Sequence, residues 1–570
     1  MRALIILFVV LMLLAIGIAL VAVFFLADSG GRPVAGSRVL SIHLDEPLID
    51  YSPVPRVPLF ELEPPLSVAT LFRALDRAGD DDSIDGVVLR VQSARLGLAK
   101  AQLLRRRLAA ISAADKFVEC YLETAGEGTN GTLAYYLVSA CDSIALSPAG
   151  HLNLIGLYFD SLFLRGTLDK LRIDPQFATA GEYKNAGEAF TGYGHSPAAR
   201  EELEILLDDL YEQIVGAIAL GRDLEPATVR ELIDQAPIDA EQALEAGLVD
   251  SLLFPDEFDS RLAELVGTEP TKVGPRDYAG RGPRRGRRLA VFFAQGTIVR
   301  GDGGVDPWSQ QLYLGADELR REMRRLADDS SIAAVVLRVD SPGGSALASD
   351  LMLREIERLQ EKKPVVVSMS DLAASGGYYI AAKAESIVAE PATLTGSIGV
   401  VAGKLVTRRF EKELLGLTHD PLRRGANAGM FTSTEPFTPS QEELFQELIQ
   451  TTYERFIGHV AEGRELTNDE VEQVAGGRIW SGERAVGLGL VDEIGGLERA
   501  LELAREAAGL AADEGGYEYF PKPKGLAEFL LGNQRLRLPL RLADLERLLH
   551  PQTPGLLELP DDLRQLNRPF

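Results

Sequence analysis

The chain consists of two halves that repeat one another, and this duplication limits the folds that it can adopt. The run 83–91 (SIDGVVLRV) matches 331–339 (SIAAVVLRV), and 243–250 (ALEAGLVD) matches 485–492 (AVGLGLVD). The two copies are expected to fold alike, because they carry the same apolar pattern in the same order. Repeats keep what folding needs, so the positions where the copies differ are the best indicators of function.

Apolar strands alternate with periodic helices in both copies, which predicts two α/β domains with parallel sheets covered by helices. Long helices are expected at Leu203–Leu220 and Gln441–Val460, where serine and proline near each start are typical of helix N-termini. The predicted strands are Val39–Leu44, Gly86–Val91, Phe117–Leu122, Leu289–Ala294, Ala333–Val339 and Val365–Ser368.

Length, charge and composition exclude several classes of protein. A chain of 570 residues is too long for one core and indicates at least two domains. The formal net charge of −25 argues against a nucleic-acid partner. The 6 histidines are scattered without metal-site spacing, so neither a metal nor a cofactor is expected. Cys120 and Cys141 lie in apolar stretches, and we expect buried free thiols rather than a disulfide bridge.

The N-terminus predicts a membrane anchor. The run Ala3–Ala27 is uncharged and strongly apolar. A bilayer is spanned by about 20 such residues, whereas the core of a cleaved signal peptide has only about 7–15. We therefore expect residues 1–27 to form an uncleaved transmembrane anchor. Arg2 favours a cytoplasmic N-terminus, which puts the body of the protein on the outer side of the membrane.

The remaining chain divides into a first half (28–267), a linker (268–288), a second half (289–508) and a C-terminal tail (509–570). The linker is rich in glycine, proline and arginine. A solvated linker is the favoured interpretation, and contact with anionic lipid headgroups is the alternative. The tail contains leucine-rich amphipathic pieces, and the sequence predicts no role for it.

Three loops of the second half carry residues that are suited to catalysis. The run 340–344 (DSPGG) follows a buried strand, and Gly343 and Gly344 allow the backbone to approach a ligand closely. Ser375 follows the next strand and precedes Gly376 and a helix, whose N-terminus favours developing negative charge. The run 395–400 (TGSIGV) closes the next unit with small residues. This pattern predicts Ser375 as a nucleophile and backbone N–H groups of these glycines as an oxyanion hole; Ser341, Ser345 and Ser397 are less favoured rivals.

A hydroxyl nucleophile needs a base, and no histidine is suitably placed. Lys184 is the strongest candidate, since the first half reads KNAG at 184–187 where the second reads ANAG at 426–429. Lysine acts as a base only when neutral, so burial must lower its pKa from about 10.4 towards ~7–8. The two halves then form one composite site, in which the first supplies the base and the second supplies the nucleophile and the oxyanion hole.

The motifs DSPGG (340–344), AASGGYY (373–379), TGSIGV (395–400) and EYKNAG (182–187) together resemble those of bacterial signal peptide peptidase A in its long, two-domain form. The resemblance runs from about residue 37 to 505. It implies two tandem Clp-protease/crotonase-like domains, with Ser375 as nucleophile, Lys184 as general base and Gly344 in the oxyanion hole. It also implies a homo-oligomer, expected to be a tetramer, which is anchored by a single pass in the bacterial inner membrane. Its periplasmic body would degrade signal-peptide remnants.

Two alternatives and one question about geometry stay open from the sequence. The chain could be a crotonase-like enzyme that acts on acyl thioesters, or a non-catalytic membrane scaffold. The first half reads QSARL at 92–96 in place of the DSPGG run, and Thr132 in place of the serine, so we do not expect Thr132 to be catalytic. In single-domain relatives a subunit interface completes each site. The sequence does not decide whether Lys184 meets Ser375 within one chain or across chains.

Overall fold

The computed structural model describes residues 37–53, 65–92, 94–280, 286–306, 309, 311–511, 514 and 516–522. Over these ranges the chain forms two α/β halves, each built on a mainly parallel sheet, as the sequence predicts. The predicted anchor, Ala3–Ala27, lies outside the described residues. Among the residues that are described, no helix is long and apolar enough to cross a membrane.

The first half contains a six-stranded parallel sheet with helices around it. Its strands are β1 (Arg38–Leu44), β2 (Gly86–Val91), β3 (Phe117–Leu122), β4 (Ser143–Leu146), β5 (His151–Leu152), β6 (Asp174–Ala180), β7 (Ile238–Asp239), β8 (Ser251–Leu252) and β9 (Thr271–Val273). Its helices are α1 (Val68–Asp80), α2 (Leu98–Ala113), α3 (Thr132–Val138), α4 (Arg165–Lys170), α5 (Glu188–Thr191), α6 (Pro197–Arg222), α7 (Pro226–Gln235), α8 (Ala240–Glu245), α9 (Pro255–Val266) and α10 (Pro275–Tyr278). The sheet order is β8-β4-β3-β2-β1-β9, while β5 and β7 pair separately.

The second half repeats this arrangement. Its strands are β10 (Arg288–Gln295), β11 (Thr297–Val299), β12 (Gly304–Val305), β13 (Leu312–Gly315), β14 (Ile332–Ser341), β15 (Val365–Ala374), β16 (Ser386–Ala389), β17 (Leu394–Gly396), β18 (Val400–Val406), β19 (Ile479–Ser481), β20 (Glu493–Ile494) and β21 (Tyr517–Phe520). Its helices are α11 (Ala316–Asp328), α12 (Ala346–Gln360), α13 (Gly376–Ala381), α14 (Arg408–Leu414), α15 (Pro439–Arg464), α16 (Asn468–Val474), α17 (Gly482–Gly487) and α18 (Leu497–Ala507). The path β20-β16-β15-β14-β10-β21 has the same order as the first sheet. The internal repeat is therefore a repeat of topology.

The central strands are buried on both faces, which explains their nearly continuous apolar sequences. Strand β15 is buried over its whole length and ends directly before Ser375. It runs past the predicted end at Ser368, because the polar residues Ser370 and Asp371 that follow are buried and bonded rather than solvated. The apolar pattern alone stops at these residues, so it underestimates the strand.

The two halves are joined by packing and by one shared sheet. Leu98 and Leu103 of α2 lie in the same hydrophobic core as Val336 and Val366 of the second sheet. Strand β6 of the first half pairs antiparallel with β18 of the second, from Ala180 opposite Val400 to Asp174 opposite Val406. Because of this pairing, the residues that follow β6 lie against the second half.

Both segments that the sequence assigns to a linker and a tail contribute strands. Strand β9, inside the segment 268–288, pairs with β1 in the first sheet. Strand β21, inside the segment 509–570, pairs with β10 in the second sheet. Within the described residues, both segments therefore contain regular secondary structure. Both strands are short and lie at sheet edges, which makes them difficult to recognise from the apolar pattern.

The expectation of free thiols is wrong. Cys120 and Cys141 form a disulfide, with their Cα atoms 6.0 Å apart. Cys120 lies in β3, and Cys141 lies just before β4, the parallel neighbour of β3. The crossover through α3 brings the second thiol back beside the first, a proximity that local sequence does not reveal.

Candidate active site

Ser375 lies at the junction of β15 and α13, fully buried and in an unusual backbone conformation. Its φ and ψ are 55° and −118°. Its N–H donates to the carbonyl of Gly396 at 2.8 Å, and its carbonyl accepts the N–H of Tyr379 at 2.8 Å. A positive φ in a residue other than glycine costs about 1–3 kcal/mol and persists only when its surroundings fix it. Here those surroundings are β17 and the first turn of α13.

Lys184 of the first half reaches this serine within the same chain. Its Nζ lies 2.8 Å from Ser375 Oγ, 2.9 Å from Ser397 Oγ and 2.9 Å from the Ser397 carbonyl oxygen. Only 3% of Lys184 is exposed. The structure thus brings the two sequence-predicted residues together, and it answers the question of whether one chain is sufficient.

Burial lowers the pKa of the Lys184 amine to about 7. The carboxyl group of Glu202 acts in the opposite direction and raises that pKa. Desolvation is the larger effect, because a charged ammonium in an apolar interior loses its hydration. A substantial fraction of the amine is therefore neutral near pH 7, and a neutral amine can accept a proton.

A close backbone contact between the halves fixes the segment that carries Lys184. The N–H of Tyr183 donates to the carbonyl of Gly476 at 2.7 Å, and the N–H of Gly477 donates to the carbonyl of Ile398 at 2.8 Å. A Cβ atom at Gly477 would lie 2.4 Å from Lys184 N, and its φ of 88° also favours glycine. These glycines therefore allow the lysine segment to lie against the turn that precedes β19.

The DSPGG loop lies against the start of α13. A Cβ atom at Gly376 would lie 3.0 Å from Gly343 Cα and 3.2 Å from Gly344 N. Gly344 has a φ of 146°, and a Cβ there would lie 2.2 Å from the Ile298 carbonyl oxygen. The bridge to Ile298 uses the Gly343 carbonyl and the Ser345 N–H, so the N–H of Gly344 is not part of it. The N–H of Gly376 belongs to the first turn of a helix, where the helix itself supplies no acceptor.

The rival hydroxyls have other contacts. Ser341 Oγ donates to the Gly296 carbonyl at 2.7 Å, and Ser345 Oγ caps α12 by accepting the Ala348 N–H at 3.3 Å. Ser397 does not lie apart from the site, since its side chain and carbonyl both contact Lys184 Nζ. Sequence reasoning treated it only as a rival nucleophile. The sequence feature that could have indicated this contact is the position of Ser397 in the TGSIGV run.

Thr132, the first-half counterpart of Ser375, has a different environment. Its hydroxyl is bonded to the backbone of Gly156, donating to the carbonyl at 3.2 Å and accepting the N–H at 3.0 Å. It is buried at the first turn of α3. These contacts give the hydroxyl a structural role within the first half.

Two groups of buried charged residues were not found from the sequence. Glu202 in α6 is buried beside the Lys184 segment, and burial raises its carboxyl pKa to about 8. Lys100 in α2 lies 2.7 Å from Asp340 and 2.8 Å from Asp371 of the second half. Charged residues are usually exposed, so nothing in the local sequence marks these as buried.

Comparison with known proteins identifies the family. The family description Peptidase family S49 matches residues 123–269 and 357–511, one stretch in each half. Serine protease SPPA from Arabidopsis thaliana chloroplasts is 35% identical over 457 residues, covering 78% of this chain and 66% of the relative. Protease 4 from Salmonella typhi is 32% identical over 460 residues, covering 78% of this chain and 72% of the relative.

A shorter relative matches less of the chain. The putative signal peptide peptidase SppA of Enterococcus faecium is 34% identical over 246 residues, covering 43% of this chain and 70% of the relative. The Arabidopsis thaliana and Salmonella typhi relatives each match 78% of this chain, whereas the shorter relative matches 43% of it. The chain belongs to peptidase family S49 and is a serine peptidase of the long, two-domain signal peptide peptidase A type.

Proposed function

We propose that Ser375 is the nucleophile and Lys184 the general base of this peptidase, acting as a dyad within one chain. The observation that carries the proposal is the 2.8 Å separation of Lys184 Nζ and Ser375 Oγ in a buried site. Serine–lysine catalysis needs this contact and an amine that is neutral at working pH. The lowered pKa of Lys184 supports the second requirement.

The proposed reaction proceeds through an acyl-enzyme. Ser375 Oγ attacks the peptide carbonyl carbon while its proton passes to Lys184 Nζ, and the carbonyl oxygen becomes an oxyanion held by the N–H groups of Gly344 and Gly376. The intermediate collapses as the C–N bond breaks, and the ammonium returns the proton to the leaving amine. Water then attacks the ester carbonyl carbon as one of its protons passes to Lys184 Nζ. The bond from this carbon to Ser375 Oγ breaks, Lys184 returns the proton to Ser375 Oγ, and the peptide leaves with a new carboxyl group. Each oxyanion donor in such sites contributes roughly a hundredfold or more in rate.

The loop around Gly343 supports this oxyanion hole. The positive φ values of Gly343 and Gly344 let the loop approach the start of α13, where the first N–H groups of the helix are available. Gly343 is proposed to shape the loop, since its carbonyl is bonded to the Ile298 N–H at 2.7 Å. Gly344 and Gly376 then supply the donors.

We propose short, apolar peptides as substrates, including cleaved signal peptides. The support is the name of the Enterococcus faecium relative, a putative signal peptide peptidase, together with the motifs shared with that family. We further propose that residues 1–27 anchor the chain in the inner membrane of a bacterium, with the body in the periplasm. The apolar run Ala3–Ala27 supports the anchor, and the Cys120–Cys141 disulfide supports an oxidising compartment such as the periplasm.

We also propose that the chain assembles into a homo-oligomer and that each half is a Clp-protease/crotonase-like domain. The internal repeat supports the oligomer, because the segments that correspond to the paired strands β6 and β18 belong to no strand. The first-half counterpart of β18 is the segment 157–163, and the second-half counterpart of β6 is the segment 416–422. Neither segment belongs to a strand, and both expose apolar side chains, among them Tyr158 (71%) and Leu422 (93%). The pairing that β6 and β18 make within a chain could therefore be repeated between the open segments of neighbouring copies.

Single substitutions test the dyad. Ser375→Ala and Lys184→Ala should each lower the hydrolysis of a fluorogenic apolar peptide by at least about a thousandfold, because each removes a group on which every step depends. Circular dichroism should remain unchanged. Thr132→Ala is the matched control, since it removes the corresponding hydroxyl of the first half, and its turnover should stay within twofold of the parent. A Lys184→Ala protein with near-normal turnover would remove lysine from the mechanism.

A further inference from the structure

Glu202 is a buried acidic residue beside the dyad that the proposed reaction does not use. It lies near the start of α6 with only 2% of its surface exposed. Its Oε2 accepts the side-chain amide of Asn185 at 3.1 Å, and its Oε1 accepts the backbone N–H of Ile479. One carboxyl group therefore connects the first half to the second at the active site.

Each of these contacts leads directly to one member of the dyad. Asn185 follows Lys184 in the chain and begins the turn Asn185–Gly187. Ile479 lies in β19, opposite Gly396 in β17, and the Gly396 carbonyl accepts the N–H of Ser375. Glu202 thus links the segment that carries the amine to the strand that holds the serine backbone.

Two charged side chains, those of Arg478 and Lys184, influence the pKa of Glu202. Burial raises the pKa of its carboxyl group to about 8, against the effects of its two hydrogen bonds, of Arg478 and of Lys184, which lower it. Arg478 precedes β19 and is also paired with Glu201, the exposed neighbour of Glu202. For Lys184, the charged group that raises its pKa is Glu202. The protonation of the two side chains is therefore linked.

We propose that Glu202 is a positioning residue for the dyad: its carboxyl group holds the Lys184 segment against β19, the neighbour of the strand that supports Ser375. This inference rests on the proposed dyad. The holding role follows from the contacts with Asn185 and Ile479 and from the pairing of Ile479 with Gly396.

The holding role is tested with Glu202→Ala, which removes both hydrogen bonds that the carboxyl group accepts. We expect kcat to fall at least fivefold and KM to stay within twofold. Glu202→Gln keeps the size and one acceptor oxygen, so it should retain more of kcat than Glu202→Ala. The acid limb of the kcat/KM profile should stay in place in both variants, because a carboxyl group with a pKa of about 8 is mostly uncharged on that limb. Glu201→Ala is the matched control, because it removes the neighbouring carboxyl group, which pairs with Arg478. Its kcat should stay within twofold of the parent. A folded Glu202→Ala protein with parental kcat would overturn the holding role.

The holding role is tested separately with Asn185→Ala, which breaks the link without touching the carboxyl charge. We expect kcat to fall at least fivefold, KM to stay within twofold and the acid limb to stay unchanged. A parental kcat would overturn the holding role, and this measurement remains informative if Glu202→Ala does not fold. Failure of this inference is distinct from failure of the dyad: inactive Ser375→Ala and Lys184→Ala proteins together with parental kcat in Glu202→Ala and Asn185→Ala would reject only the role of Glu202.

Discussion

At the scale of single residues, the site combines several conformations and environments that are unfavourable elsewhere. Ser375 has a positive φ although it is not glycine, and the buried amine of Lys184 contacts no carboxylate among the residues that the structure describes. Both features cost free energy of folding. Each has a chemical use, because the backbone conformation places the serine at a helix start, and the burial lowers the pKa of the amine.

The lowered pKa of Lys184 predicts how activity depends on pH. The amine is a base only when neutral, and its pKa is about 7, so kcat/KM should rise about tenfold per pH unit below pH 7 and level off above it. The measurement is a pH–rate profile from pH 5 to 9 with a peptide substrate that has no ionisable group in that range. A profile that is flat across pH 7, with chemistry shown to be rate-limiting, would contradict lysine as the base.

At the scale of elements, the first half supports the second through the start of one helix. The N-terminal turn of α2 is capped from the other half: Asp371 Oδ1 accepts the Lys100 N–H at 3.0 Å, where the N-cap residue Gly97 has no side chain to do so. The Lys100 amine also contacts Asp340, the first residue of the DSPGG loop. The DSPGG loop of one half is thus bonded to a helix of the other.

This contact predicts a large loss of stability on substitution of Lys100. Lys100→Met would remove the ammonium that pairs with the partly buried carboxylate of Asp340 and the buried carboxylate of Asp371, which should lower the free energy of unfolding by about 3–5 kcal/mol. Lys362→Met is the control, because Lys362 pairs with Asp328 at the surface and such pairs contribute about 0–1 kcal/mol. Urea denaturation at pH 7.5 measures both. Equal effects of the two substitutions would show that the buried cluster contributes no more than a surface pair.

At the scale of the whole molecule, the duplication provides two equivalent pairs of segments, and one pair, β6 and β18, forms a contact within the chain. Strands β6 and β18 pair within the chain, whereas the corresponding segments 416–422 and 157–163 lie in different halves and belong to no strand. A contact between two different surfaces of identical chains closes into a ring when the rotation allows it. The proposed catalytic pair, Lys184 and Ser375, meets inside one chain, so the proposed assembly is not needed to form it.

A charge placed on an open segment should therefore disrupt the assembly and spare the dyad. Tyr158→Asp and Leu422→Asp should each shift the protein to smaller species in size-exclusion chromatography with light scattering, because a buried unpaired carboxylate opposes the contact. Labelling of Ser375 by a fluorophosphonate should persist. Leu220→Asp is the control, since Leu220 is 86% exposed but lies outside both segments. A parent protein that is already monomeric would reject the proposed oligomer.

Much of the fold could be read from the sequence because its signals are local. The strands Gly86–Val91 and Phe117–Leu122 have the predicted bounds, since buried parallel strands are short apolar runs. Strands β9 and β21 were not predicted, because two short edge strands take their stability from pairing rather than from their own sequence. The Cys120–Cys141 bridge was missed for the same reason, as it depends on which strands are neighbours.

The sequence alone determined the duplication and the α/β class. It also showed that one copy has a serine, Ser375, and the other a lysine, Lys184, at positions where the copies differ. These follow from periodicity and from comparison of the halves, which are properties of the chain itself. Only the tertiary structure decided that Lys184 and Ser375 meet within one chain, that Ser397 contacts the amine while Glu202 is bonded to the adjacent Asn185, and that Lys100 is buried beside the DSPGG loop. The physical reason is that burial and pKa are set by neighbours distant in sequence, and the pairing of β6 with β18 is what brings those neighbours together.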